Sequence, residues 1–214
     1  MTTLQILGHP NSTFTRTALM AAEEKGIAYD FVETTPHSDA ITALHPFGKI
    51  PAARHGDLQL WESGAICRYI DETFDGPPLI PVDLAARYRM ESWVSAVNHY
   101  ICDTMLRRYV VQYVFPKGPD GQPDRATIDA ALPDIKAQLE RIDGALAAND
   151  YLAGPQISLA DLFLAPVLTY VARMPEGSEL LQGHANIQRA GAAMHARPSF
   201  QKTLPPMARD AAAE

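Results

Sequence analysis

The feature that most restricts this chain is a break in local patterning at Asp75-Gly76-Pro77-Pro78, reinforced by Pro81. Every strand-like stretch precedes it and none follows. Ahead of the break, residues 4–7 form a short apolar run closed by Gly8-His9-Pro10, and residues 29–33 are aromatic and β-branched at strand length. Between them, residues 16–25 read as a helix that stops at Gly26, with Asn11, Ser12 and Thr13 as candidate caps. A strand–helix–strand unit of this length predicts a right-handed crossover and parallel pairing. Any ligand site then falls at the carboxyl end of the first strand, residues 7–12.

A polar segment, 34–48, has room for one short helix before Lys49-Ile50-Pro51. Residues 52–54 and 58–60 flank His55-Gly56-Asp57 as a hairpin, and Trp61-Glu62-Ser63 opens a second helix over 64–74. The order is β-α-β-α-β-β-α, a compact α/β layer domain over 1–76, with 77–83 as linker. After it, long helical patterns at 84–115 and 125–148 and shorter ones at 159–172 and 184–195 predict an all-α domain over 84–214. The alanine-rich end, 208–214, is the one stretch whose composition suits disorder.

Charge excludes whole classes of partner. Lys plus Arg number 18 against 25 for Asp plus Glu, a formal charge of −7. Such a surface repels phosphate backbones and anionic lipid, so neither nucleic acid nor membrane is expected. Only Cys67 and Cys102 are present, without CxxC spacing, and the histidines lack HxxxH or HExxH spacing. No disulfide framework, metal site or phosphate loop is expected, and the reading favours a cytoplasmic setting.

Four stretches, in order and at ordinary separations, resemble one family. GHPNSTFTRTALMAAEEKGI is similar to the phi-type pattern in which a serine follows a GHP-like turn and begins the first helix; HPFGKIPA is similar to NPFG-[KQ]-[IV]-PA, with His45 in place of the usual asparagine. LWESGAICRYIDE resembles a glutathione-binding segment, and YLAGPQISLADLFLAPVL the capping-box stretch of a helical domain. The chain thus resembles the cytosolic glutathione S-transferases over essentially its whole length. The resemblance implies a thioredoxin-like α/β N-terminal domain followed by an all-helical C-terminal domain. It also implies a homodimer, and glutathione as co-substrate with no tightly bound cofactor.

By the same resemblance Ser12 is the catalytic hydroxyl, with Asn11 and Thr13 as adjacent alternatives. A free thiol of pKa about 8.5 is roughly 3% ionised at pH 7, and a fall of about 2 units corresponds to about 2.7 kcal/mol of selective stabilisation. A hydroxyl donating to sulfur beside a helix N-terminus supplies part of that; an ordinary N-cap is the simpler reading of the same residue. Ile50-Pro51 is implied to be cis and to present the Ile50 backbone to the cysteinyl residue, where composition alone suggests a plain strand-start proline. Glu62 and Ser63 suit the γ-glutamyl ammonium and carboxylate, or a plain helix cap. Lys49, and secondarily His37, suit the glycyl carboxylate, though a solvated loop is the ordinary place for a histidine.

Phe47 is implied to be a dimer contact, with a fold-back onto its own domain as the alternative; Asp103 is a dimer contact or a solvated helix residue. Met105 and Tyr109 are candidates for the wall of a pocket for a hydrophobic electrophile between the domains, or for helix packing. Ser158-Leu159-Ala160-Asp161 has capping-box spacing and a folding role. The function expected is thiolate transfer to a hydrophobic electrophile. Alternatives are glutathione-dependent disulfide or peroxide reduction, and a non-enzymatic binding module.

Overall fold

The structure is a computed structural model that describes residues 2–205. The expectation for 208–214 falls outside the described residues. The N-terminal elements are β1 (Leu4–Gly8), α1 (Thr13–Lys25), β2 (Tyr29–Glu33), α2 (Asp39–Thr42), β3 (Ala52–His55), β4 (Leu58–Trp61) and α3 (Ser63–Thr73). The sheet runs β2-β1-β3-β4. β1 and β2 are parallel, with Leu4 opposite Tyr29, while β3 and β4 continue antiparallel. The crossover helix forces the first pairing and the two-residue hairpin the last.

β1 is the most buried strand because both its neighbours and α1 cover it: Leu4 and Ile6 are closed to solvent. On α1, Ala18, Met20, Ala21 and Ala22 are buried together, and the small residues let α1 lie close against α3, whose Ile66, Cys67 and Ile70 face inward. Gly26 ends α1 at φ 67, and its amide donates back to the Ala22 and Glu23 carbonyls.

The chain divides into two compact units, and the boundary differs from that read in the sequence. One unit takes the described residues up to Ile80 together with those from His195 onward; the other is Pro81–Met194. Within the expected 77–83 linker, Leu79 and Ile80 are buried, and their amides donate to the Asp71 carboxylate at 2.8 and 3.0 Å. Asp71 in turn faces Lys25 Nζ at 3.1 Å, both side chains being buried. The helix α10 (Pro198–Lys202) also returns to the first unit rather than ending the helical one. It packs on α1. There Arg197 makes two bonds to Glu24 at 2.6 Å, the Ser199 hydroxyl donates to the same carboxylate, and Lys202 reaches Glu23 at 2.7 Å. Arg16, 1% exposed, donates to the Phe200 carbonyl at 3.2 Å, and its guanidinium carbon lies 4.0 Å from the Phe200 ring centroid.

The second unit is helical: α4 (Leu84–Ala96), a π-helical segment Val97–Val110, α5 (Val111–Val114), a 3₁₀ turn Pro119–Gly121, α6 (Arg125–Ala145), α7 (Leu159–Val171), α8 (Gly177–Gln182) and α9 (Ala185–His195). Its core pairs Val97, Ile101, Met105 and Tyr109 with Ile128, Ala131, Ile135, Leu139 and Ile142, residues three to four apart on each element. Ser158 and Asp161 form the capping box that their spacing predicts. The Asp161 carboxylate accepts from the Ser158 amide and hydroxyl, each at 2.9 Å, and from the Leu152 amide at 2.8 Å. Among the described residues no helix is long and apolar enough to cross a membrane.

Candidate functional site

Strand register gathers the sequence-predicted residues. Leu7 of β1 lies opposite Ala52 of β3, and Ala52 lies opposite Trp61 of β4. The β1–α1 turn, the Ile50–Pro51 step and the start of α3 therefore emerge side by side at one end of the sheet. Three separate stretches of sequence meet there.

In the turn, the Ser12 amide donates to the His9 carbonyl at 2.9 Å and the Asn11 amide to His9 Nδ1 at 3.2 Å. Ser12 caps α1: its backbone is extended and its Oγ accepts from the Thr15 amide at 3.2 Å. That bond uses a lone pair, so the hydroxyl proton stays available to donate. Ser12 and Asn11 are half-buried, whereas Thr13 is 9% exposed. The turn is held tight from below, because Thr15 packs directly over Gly8, where a Cβ would collide with its side chain.

The loop before β3 brings His37 and Lys49 together. The His37 amide donates to the Gly48 carbonyl at 2.8 Å, and the imidazole lies so close to the Gly48 α-carbon that a Cβ there would collide with it. Gly48 also has φ 63, a conformation that glycine adopts without steric cost. The His37 and Lys49 side chains are exposed, Ile50 is half-buried and Pro51 is buried. The Ile50–Pro51 bond is cis.

At the start of α3, Glu62 occupies φ 66, ψ 124, rare for a residue with a Cβ. Its carbonyl accepts from the Ile66 amide at 3.0 Å, while its side chain is 60% exposed. Ser63 is the first helical residue and is 6% exposed. Beneath Glu62 sits a residue that the sequence marks only as a departure, His45. It is 2% exposed, its Nδ1 accepts from the Phe47 amide at 3.1 Å, and its Nε2 is 3.8 Å from Glu62 Oε1. Its ring contacts both Phe47 and Trp61, which are 63% and 40% exposed and meet edge to face at 6.0 Å.

The set is a half-buried hydroxyl at the positive end of α1, an exposed ammonium, an exposed carboxylate and a buried hydroxyl at a second helix start. Those groups match a small zwitterionic peptide carrying an anionic centre. Residues 7–78 match the glutathione S-transferase N-terminal domain, and residues 101–198 the glutathione S-transferase C-terminal domain. Glutathione S-transferase 3 of Zea mays is 30% identical over 211 residues, spanning 95% of this chain and 94% of that protein. The chain belongs to the glutathione S-transferase family. Among solved transferases, glutathione transferase F7 of Populus trichocarpa superposes with a TM-score of 0.85 at 28% identity, covering 94% of this chain and 97% of its own. A theta class glutathione S-transferase of Xanthomonas axonopodis pv. citri, solved with glutathione bound, gives 0.82 at 30% identity, covering 95% and 98%.

The helical residues assigned from the family resemblance fare differently from those at the sheet. Met105 and Tyr109 are both fully buried, and the Tyr109 hydroxyl donates to Glu176 at 3.0 Å. That burial favours the packing role for both over a pocket wall. Burial, then bonding to Glu176, raises the Tyr109 hydroxyl pKa well above its ordinary value, so it remains a donor. Asp103 is exposed and pairs with Arg107 at 3.4 Å, beside an open groove of about 290 Å³ that includes Tyr100, Thr104, Asp134, Gln138 and Arg141. Both thiols are buried and unpaired; burial pushes Cys67 above its ordinary range and Cys102 to about 12, which makes them poor nucleophiles.

Proposed function

We propose that this chain is a glutathione transferase in which Ser12 stabilises the glutathione thiolate for attack on a hydrophobic electrophile. The observation that carries it is the convergence of the Ser12 turn, the Lys49–Pro51 step and Glu62–Ser63 at one end of the sheet. In this reading the Ser12 proton points at sulfur while its oxygen caps α1. The helix N-terminus favours the anion, and Lys49, with His37 beside it, takes the glycyl carboxylate. Ile50 offers its backbone to the cysteinyl residue. Ser63 receives the γ-glutamyl carboxylate and Glu62 the ammonium. Ser12 is preferred to Asn11 and Thr13 because it couples a cap acceptor to an uncommitted donor at partial burial.

We further assign Phe47 to the contact of a homodimer. Its exposed ring stands edge-on to the exposed Trp61 at the end of β4, an apolar pair on the surface of the single chain. Asp103 is assigned to the same assembly, where its exposed carboxylate is accessible to a partner. The inferred setting is cytoplasmic, supported by two unpaired thiols in a chain without disulfides.

The test joins binding to turnover. Calorimetry should detect glutathione binding at millimolar concentration or below, and an aryl halide should be conjugated faster than a mixed disulfide or hydroperoxide is reduced. Absence of binding would leave a non-enzymatic module, and the reverse order of rates a reductase.

A further inference from the structure

We propose that His45 is a positioning residue for glutathione recognition. Its buried imidazole is fixed from one side by the Phe47 amide and, from the other, holds the Glu62 carboxylate in line for the γ-glutamyl ammonium. This deepens the reading above and rests on it for the identity of the ligand.

Glu62 needs such a neighbour. Its backbone sits at φ 66 and its side chain is 60% exposed, so solvent alone would leave the carboxylate to sample its rotamers freely. The polar atom placed against it among the described residues is His45 Nε2, at 3.8 Å. That nitrogen's state is set by the rest of the loop. Because Nδ1 accepts the Phe47 N–H at 3.1 Å, the neutral ring carries its proton on Nε2, the side that faces Glu62. The separation is beyond hydrogen-bond length, so the ring presents a positively polarised wall rather than a direct bond.

The wall is rigid. His45 is 2% exposed, and its ring lies 5.4 Å from Trp61 and 6.1 Å from Phe47, centroid to centroid. An ammonium arriving at Glu62 would find the carboxylate already oriented, and pre-organisation of this kind is expressed as affinity. His45 touches no substrate atom in this account; it acts through Glu62.

The experiment compares glutathione with glutaryl-cysteinyl-glycine, the same tripeptide lacking the ammonium, by titration calorimetry on the intact protein. The unaltered chain should prefer glutathione by about tenfold. Glutamine places an amide N–H where Nε2 stood, whereas asparagine replaces only the Nδ1 acceptor. His45→Gln should therefore retain most of the preference, while His45→Asn and His45→Ala bring it to about twofold or less. With an aryl halide, the loss should be carried by KM for glutathione, with kcat changed by less than about twofold. Comparing two ligands within each variant separates the effect from partial misfolding. An unchanged preference in His45→Ala and His45→Asn overturns the proposal; so does a fall in His45→Gln as large as in His45→Asn. If Glu62→Gln abolishes the preference while the His45 variants keep it, only this inference fails. If Glu62→Gln itself keeps the preference, the ammonium is bound elsewhere and the assignment of Glu62 fails with it.

Discussion

In its proposed role Ser12 uses two parts of one hydroxyl for two duties, so substitutions can separate them. Ser12→Ala removes both: stability should fall by about 1 kcal/mol, and the pKa of the bound glutathione thiol should rise toward its free value with loss of conjugation. Ser12→Asp keeps an acceptor for the Thr15 amide but places a negative charge beside the sulfur. Its melting temperature should match that of the unaltered chain while the bound thiol fails to ionise at pH 7. Thermal melts and thiolate absorbance measured on the same samples check this pair. A Ser12→Asp variant that still ionises the thiol would remove the serine from its proposed role.

Asp161 gives a second prediction at this scale, with a defined sign. Burial pushes its carboxyl up to about 6, despite three donors from Leu152 and Ser158. The folded chain therefore holds this proton over a range in which the unfolded chain, near an ordinary value of about 3.9, has lost it. Its contribution is full below that ordinary value and is lost as pH rises through about 6. Asp161→Asn should lower stability by about 1–3 kcal/mol, because the Ser158 amide loses an acceptor, and should remove this group's pH dependence between about 4 and 6. Denaturant midpoints across that interval measure the difference.

Among elements, α10 is small but strongly attached. Its bonds to α1 involve Glu24, whose carboxyl is raised by burial but lowered further by Arg197 and Ser199, leaving it below its ordinary value. Such a group supports the fold above its unfolded pKa and gives up that support as pH falls through the folded one. Phe200 is 1% exposed and lies under Arg16. Phe200→Ala should cost about 3–5 kcal/mol and raise hydrogen exchange along α1, since it opens a cavity beside a buried guanidinium. In the helical unit, Glu176 ties α8 to Tyr109, Tyr113 and Arg125. Burial opposes its ionisation, but Arg125 and then Tyr113 outweigh that and hold it at about 2. Glu176→Gln should flatten the loss of stability as pH falls below about 4.5, the ordinary value.

Much of this architecture was legible in the sequence. Gly26, Gly56 and the cap at Ser12 delimit α1 and the hairpin by backbone chemistry that needs no tertiary context, and the 16–25 pattern lies within α1. The helices α8 and α10 were not legible, because six and five residues are too few to show a helical period. The packing of Met105 and Tyr109 was open for a related reason: a residue every fourth position on a long helix faces something, and one sequence does not say what. His45 was visible only as an unusual residue in a motif. Its proposed role follows from the meeting of the 45–47 loop with the end of β4, a contact that depends on strand register.

For the whole molecule, the net acidic charge and the proposed dimer contact at Phe47 would act in opposite directions on self-association. The −7 charge keeps copies apart unless a specific apolar contact overcomes it. Phe47→Arg should shift the sedimentation coefficient from that of a dimer to that of a monomer with little change in melting temperature, because the ring is 63% exposed in the single chain. A monomeric parent protein would refute the assignment directly.

The return of α10 to the first unit also orders events during synthesis. Residues 81–194 are an insertion within the first unit's chain, so Glu24 and Arg16 emerge long before Arg197 and Phe200 exist to meet them. The sheet and its helices must wait, incomplete, while an entire helical unit is translated. A premature stop anywhere in that interval leaves the nascent α1 without the Arg197, Ser199 and Phe200 contacts that complete its outer face.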